Sequence, residues 1–344
     1  MVIAGKLRMN RTRLLIAVLS IAVACLGCTV IAGKEDSGAY GQGEKQIRLT
    51  YVATLRNQAS LRTEAFRDVL HTTGTPTTLQ LQRPYGVYAD AFRVYVTDQT
   101  QPARIFIFDR GERTVRVLAI PAPPAEGKLL SPTGIVVDST NVIYVADAPQ
   151  GRVFGYDLNG TLLTAFGKLG DLSHPLAVAF DKRWGRIYVA DSHAHLVKVF
   201  NLIGERLPDI GADGPVDKRL RSPVALALDK NGRLYVLDGQ RKHVYLFDEG
   251  KFINRVPLSQ GAPGGSPKPR GLAVDSAGHI YVADSVNNNI LIFESDGSFL
   301  MTWGKSGFVR GDFLTPQGLF IDERDQIYIA DQTNGRIQVY QFQK

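Results

Sequence analysis

From about residue 80 onward the apolar positions fall into short runs of five or six, each broken by Asp, Gly, Asn or Ser. In "KPRGLAVDSAGHIYVADSVNNNILIFESDGSFLMTWG" (268–304) four such runs follow one another: "GLAVD", "HIYVAD", "NILIF" and "FLMTW". β-Branched and aromatic residues fill the runs and turn residues separate them, which predicts four strands joined by tight turns. The same order recurs in "SPTGIVVDSTNVIYVADAPQGRVFGYDLNGTLLTAFG" (131–167). The aspartate ending the second run returns as Asp98, Asp147, Asp191, Asp238, Asp284 and Asp331, at intervals of 49, 44, 47, 46 and 47 residues. A four-stranded unit of this size cannot bury both its faces alone. Radial stacking of six such units gives an all-β, six-bladed β-propeller of four-stranded blades.

The two ends of the pattern bear on closure. The last unit stops after its third run, "RIQVYQFQK", so blade six lacks an outer strand. Residues 46–54, "QIRLTYVAT", alternate apolar and polar side chains, which predicts a strand that supplies the missing one and seals the ring. Between this strand and blade one, "SLRTEAFRDVLHTTG" (60–74) sets Leu61, Ala65, Phe66, Val69 and Leu70 at helical spacing after Ser60, which predicts a short helix packed on the disc.

The first 30 residues, "MVIAGKLRMNRTRLLIAVLSIAVACLGCTV", follow another pattern, a basic stretch and then an apolar run, which is the layout of a secretory signal. "CLGC" resembles a bacterial lipobox with Cys28 as the lipidated residue, although Cys25 stands where that motif prefers Leu. Two other readings compete: conventional cleavage after "AVA", and retention of Leu14–Gly33 as a signal anchor. All three put the body outside the cytoplasm, in the cell envelope, because Arg8, Arg11 and Arg13 hold the N-terminus inside. The chain therefore divides into a leader or anchor (1–28), a Gly-rich tether (29–45) and the propeller (46–344). Of the net charge of +7, Lys6, Arg8, Arg11 and Arg13 contribute four, which leaves about +3 on the remainder. Net charge alone thus implies no polyanionic partner, and nucleic acid is not expected outside the cytoplasm. Cys25 and Cys28 are the chain's two cysteines, so neither a disulfide nor a thiolate metal site holds the body together.

The repeats resemble the NHL-repeat family: a proline, a "GLAVD"-like inner strand, "IYVAD", a polar loop and an "RIQVF"-like third strand. The matching prolines are Pro84, Pro132, Pro175, Pro223, Pro269 and Pro316, and the likeness covers about residues 80–344. It implies that the loops before the inner strands and after "VAD" share one face at the mouth of a central channel, where propellers bind ligands. Related propellers include zinc-dependent amidating lyases, with histidines at the mouth, and calcium lactonases, with carboxylates and amides there.

The residues just after the six prolines are Tyr85, Thr133, Leu176, Val224, Arg270 and Gln317, none of them His, Asp or Glu, so this ring supplies no metal set. His174, His193 and His195 are the candidates should a cation bind. The six repeat aspartates are read as structural acceptors of backbone N–H groups, as are Asp90, Asp138, Asp181, Asp229, Asp275 and Asp322 at the hairpins after the inner strands. What the mouth face carries is positive charge. Arg83, Tyr85, Arg152, Arg221, Arg241, Arg270, Gln317 and Arg336 are the candidate contacts, since guanidinium forks recognise carboxylate and phosphate. The expected function is a membrane-tethered binding platform for a protein or an anionic envelope ligand, with no cofactor. The rival is a metal-dependent hydrolase or lyase of the lactonase or amidating type.

Overall fold

The computed structural model describes residues 37–40, 47–57, 60, 79–120, 127–167, 170–213, 218–261 and 266–343. The leader with Cys28, most of the tether and residues 61–74 of the expected helix lie outside the described residues.

Two N-terminal strands, β1 (Ser37–Tyr40) and β2 (Ile47–Leu55), precede the first blade. Blade one is β3 (Pro84–Ala89), β4 (Arg93–Asp98), β5 (Arg104–Asp109) and β6 (Thr114–Val117). Blade two is β7 (Pro132–Val137), β8 (Ile143–Asp147), β9 (Arg152–Tyr156) and β10 (Leu162–Phe166). Blade three is β11 (Pro175–Asp181), β12 (Arg186–Asp191), β13 (Leu196–Asn201) and β14 (Arg206–Ile210). Blade four is β15 (Pro223–Leu228), β16 (Leu234–Asp238), β17 (His243–Asp248) and β18 (Lys251–Pro257). Blade five is β19 (Pro269–Val274), β20 (Ile280–Asp284), β21 (Asn289–Phe293) and β22 (Phe299–Trp303). Blade six takes β23 (Pro316–Ile321), β24 (Gln326–Asp331) and β25 (Arg336–Gln343) from the C-terminus.

Within blades one to five the strands lie in sequence order, neighbours in every blade pair antiparallel, and the inner strands follow one another around the ring: β3 meets β7, then β11, β15, β19 and β23, which returns to β3. The ring closes as the sequence predicts. β2 pairs antiparallel with β25, from Arg48 opposite Gln343 to Leu55 opposite Ile337, and becomes the outer strand of blade six. Its Leu49, Ala53 and Leu55 are 1%, 2% and 1% exposed. Ser37–Tyr40, expected in the tether, instead pairs with β2 as a fifth strand, so the described sheet starts earlier than the sequence reading had it.

The core lies between the blades. Between five and six, the Trp303 indole meets Phe313 and Tyr340 edge-on at 5.4 and 4.6 Å. Between six and one, β2 packs with Val339, Phe106 and Phe108 in one buried cluster. Near the axis there is no room for side chains. A Cβ on Gly134 would lie 2.6 Å from the Cα of Ala177 in the next blade, and one on Gly271 would lie 2.2 Å from the Gln317 carbonyl. Gly134→Val should therefore cost about 1–3 kcal/mol or more through overpacking against backbone. Leu49→Ala and Leu55→Ala should each cost about 2–5 kcal/mol if β2 is the seal. Thermal and urea melts check both; parental stability of the two leucine variants would show that β2 does not hold blade six.

Candidate functional site at the channel mouth

The six repeat aspartates fix which loops share a face. All six are 0% exposed. Asp238 accepts N–H groups of Arg221 and Ser222, before the inner strand, at 2.5 and 3.1 Å, and of Gln240 and Arg241, after the second strand, at 3.1 and 2.8 Å. Asp98 does the same with Gln82 at 2.7 Å, Arg83 at 3.2 Å and Thr100 at 2.9 Å. One carboxylate thus ties both loops of its blade to the end of the second strand. In these two blades its oxygens are turned inward to backbone donors rather than out to a cation, since a buried carboxylate left without partners costs stability.

The opposite end is built from the second aspartate set. The hydroxyls of Tyr95, Tyr144, Tyr188, Tyr281 and Tyr328 donate to Asp90, Asp138, Asp181, Asp275 and Asp322 at 3.0–3.2 Å. Burial pushes each of these phenols up, and the neighbouring carboxylate pushes it further. Side chains of different blades meet at this lower end. Lys182 of blade three pairs with Glu323 of blade six at 2.7 Å, and the Tyr88 ring lies 4.7 Å from Phe320.

At the mouth end every inner strand carries a β-bulge just after its proline. Pairing with the second strand runs Pro84 to Asp98, Pro132 to Asp147, Pro175 to Asp191, Pro223 to Asp238, Pro269 to Asp284 and Pro316 to Asp331, and the register then shifts. A bulge breaks the alternation of the strand there, and Tyr85, Thr133, Leu176, Val224, Arg270 and Gln317 follow one another around the inner ring, although Val224 remains in the buried cluster between blades four and five with Leu176 packed against it. Thr133 is 3% exposed, and its hydroxyl binds the carbonyls of Ala146 at 3.2 Å and Pro175 at 3.3 Å. Gln317 is 6% exposed, while Tyr85 and Arg270 are half-buried and adjoin each other. Burial pushes the Tyr85 phenol up, and the Arg270 guanidinium pulls it partly back.

The other expected contacts divide. Arg83 and Arg221 are exposed on the mouth face, and Arg241 is half-buried there. Arg152 is half-buried, with Nε donating to the Phe166 carbonyl at 3.2 Å and its guanidinium 5.7 Å from the centre of the Phe154 ring. Arg336 is 7% exposed and is not a surface contact. Its Nε donates to Asp331 at 2.8 Å, and its terminal nitrogens donate to the carbonyls of Phe308, Val309 and Asp312 at 2.8–3.1 Å.

That clamp exposes what sequence reasoning missed. The loop between β22 and β23 is further held by Asn334 on the Gly307 carbonyl at 3.0 Å, Gln338 on the Asp312 carbonyl at 2.8 Å and a bridge from Ser306 to Phe313. Its tip displays Phe308 at 76% and Val309 at 66% exposure, flanked by exposed Lys305 and Arg310. The signal was "KSGFVRGDF", an apolar pair inside a glycine-rich, charged loop rather than in a strand.

The three candidate histidines do not converge, and among the described residues no three His, Cys, Asp or Glu groups are placed to hold a metal ion. His174 and His193 stack at 4.4 Å with 14° between their planes. His195 turns away, its Nδ1 against the Arg221 carbonyl. Burial lowers the His174 pKa below 6.5, His193 lowers it further, and Asp191 opposes both. The unfolded chain therefore binds a proton more readily than the folded one at this site. The stability it contributes is present above the ordinary histidine value and is lost as the pH falls. Thermal melts between about pH 7.5 and 5 should show a smaller acid loss for His174→Gln than for the parent; identical profiles would refute this.

Residues 272–344 match a family described as 6-bladed beta-propeller. The chain is 28% identical over 141 residues to the protein brain tumor of Drosophila melanogaster, covering 39% of this chain and 13% of that one. It is 26% identical over 170 residues to NHL repeat-containing protein 2 of Gallus gallus, covering 40% of this chain and 23% of that one. The matched region is thus less than a quarter of either relative. Among solved structures, a gluconolactonase from Xanthomonas campestris superimposes with a TM-score of 0.59 at 16% identity, covering 90% of this chain and 96% of that one, a likeness of fold. With six proline-led, aspartate-tied blades closed by an N-terminal strand, the chain is a six-bladed β-propeller whose repeats are similar to those of NHL-repeat proteins.

Proposed function

We propose that this propeller is an envelope-tethered binding platform that takes a protein, or an anionic envelope ligand, on its mouth face. The observation that carries the reading is the clamped loop: Phe308 and Val309 are exposed on a backbone fixed by the buried Arg336. Holding large apolar side chains in water on a rigid loop forgoes hydrophobic stabilisation, which a partner restores on docking. Val286, 57% exposed, lies on the neighbouring loop, which is joined to this one by Asn288 accepting the Thr315 N–H at 2.7 Å. Arg310, with its guanidinium 4.3 Å from the Tyr51 ring centre, and Lys305 give the apolar tip a cationic rim. An apolar anchor inside a charged rim is the usual anatomy of a protein-binding hot spot.

The rival reading, a lactonase- or lyase-like enzyme, draws on the fold shared with the gluconolactonase. A fold carries no chemistry by itself, and the mouth ring holds an arginine, an amide, a phenol, a threonine and two aliphatic side chains, a set suited to recognition rather than to proton transfer near neutrality.

The test is crosslinking in intact cells, followed by recovery of the full chain with its neighbours. Phe308→Asp, and separately Arg221→Glu with Arg241→Glu, should each reduce partner recovery about tenfold with the melting temperature retained. Recovery unchanged in both folded variants would leave the disc as a spacer. Attachment belongs to the same proposal: Cys28→Ser should release the protein from the membrane and abolish metabolic lipid labelling. Labelling that persists would exclude Cys28 as the acceptor.

A further inference from the structure

The ring of post-proline residues carries a chemistry separate from the exposed loops. Its order follows from the close approach of the inner strands. A Cβ on Gly271 would meet the Gln317 carbonyl at 2.2 Å, one on Gly318 the Tyr85 carbonyl at 2.4 Å, and one on Gly86 the Thr133 carbonyl at 2.3 Å. Arg270, Gln317, Tyr85 and Thr133 are therefore consecutive, and Leu176 and Val224 complete the circle. One arc is polar and the other aliphatic.

The polar arc is unfinished. Thr133 is spent on two carbonyls. Gln317 is 94% buried (6% exposed), yet among the described residues its side-chain amide has no hydrogen-bonding partner. The half-buried Arg270 guanidinium adjoins the Tyr85 hydroxyl, and no described carboxylate lies within ion-pair distance of it. The repeat aspartates of its own blade and the next, Asp284 and Asp331, are already met by other donors: Lys268 and Val286 N–H groups and the Asn287 amide on Asp284, and the Leu314 N–H with the Asn334, Arg336 and Gln338 side chains on Asp331. The amide is not sealed from solvent, so it is open to a ligand, and a partly desolvated cation gains from a partner of opposite charge.

We propose that the channel mouth is a binding site for a small carboxylate with a hydrocarbon body. The carboxylate would lie on the Arg270 guanidinium, the Tyr85 hydroxyl and the Gln317 amide, and the hydrocarbon against Leu176 and Val224. The guanidinium fork, a phenolic O–H and an amide N–H are all donors, and a carboxylate offers acceptor sites enough for the three. A single cation in the ring matches a monoanion; a phosphate dianion would be left undercompensated. The aliphatic arc rewards an apolar tail, and the exposed Lys182–Glu323 pair that spans the lower end, with Tyr88 against Phe320, makes the mouth the side of entry. The site goes beyond the partner surface proposed above and is tested apart from it.

The experiment is calorimetric titration of the full chain with 4-methylpentanoate, with 4-methylpentanol and inorganic phosphate as the other arms. Saturable binding of one carboxylate per chain is expected, with the alcohol and phosphate each weaker by about tenfold or more. Arg270→Gln should weaken the carboxylate by about tenfold, Gln317→Leu and Tyr85→Phe by smaller factors, and Phe308→Asp not at all. Tyr85→Phe and Gln317→Leu keep the test decisive if Arg270→Gln fails to fold. No saturable heat at millimolar carboxylate, phosphate binding as tightly as carboxylate, or unchanged affinity in all three ring variants would each overturn the assignment. Loss of partner recovery in Phe308→Asp with carboxylate binding intact would separate this site from the docking face.

Discussion

The closeness of six inner strands around one axis is the constraint on which the rest of this molecule depends. The third residue of each inner strand is Gly86, Gly134, Ala177, Ala225, Gly271 or Gly318, and Cβ atoms built on the glycines of blades one, two, five and six fall 2.2–2.6 Å from atoms of the next blade. No larger side chain fits there without moving backbone. Small residues let the strands converge, but they give a strand little to pack, so the stabilising burial moves outward. It comes to lie in the second and third strands, where Tyr95, Phe106, Tyr245 and Phe293 are 0% exposed.

Convergence also explains the bulge and the aspartate. Where the chain turns in toward the axis, a proline sets φ and the register slips, so the ladder cannot satisfy the loop's N–H groups. The aspartate at the end of the adjacent strand accepts them instead, as Asp191 does for Ser173 at 2.7 Å and His174 at 2.9 Å. A buried carboxylate is expensive, and repeating it six times is tolerable because each is met by directed donors. Blade six varies the scheme. Asp331 accepts the Leu314 N–H at 2.7 Å, but its other oxygen takes Arg336, Asn334 and Gln338 side chains at 2.8, 2.8 and 3.1 Å. The same arginine reaches the carbonyls of the preceding loop, so the blade whose aspartate is paired with a cation is also the one that fixes an apolar tip in water.

How much of this could be read from the residues follows from the distances over which each feature is encoded. Strand order, blade number and closure by β2 are written locally, in period-two alternation and in a final repeat one strand short, and they were legible. The ring order was legible too, because the prolines mark it. The burial of Arg336 was not: its partners Phe308, Val309 and Asp312 lie 28, 27 and 24 residues upstream and are backbone carbonyls, which leave no mark on residue type. Counting that arginine among the mouth contacts treated position in the repeat as exposure. β1 escaped for a related reason. Ser37–Tyr40 is a Gly-containing tetrapeptide without alternation, and only the edge offered by β2 makes it a strand.

The departures from the repeat, rather than the repeat, are where specificity can reside. Residues that recur in all six blades, the proline, the two aspartates and the small inner residue, have similar neighbours from blade to blade, with variations at Asp331 and Asp229, and are consumed by the scaffold. At the position just after the proline the six blades differ in kind: arginine, glutamine, tyrosine and threonine along one arc, leucine and valine along the other. A pseudo-sixfold frame with a mouth divided into polar and aliphatic halves has an orientation that the frame itself lacks. A ligand with one charged and one apolar end is the kind of molecule that can tell those halves apart.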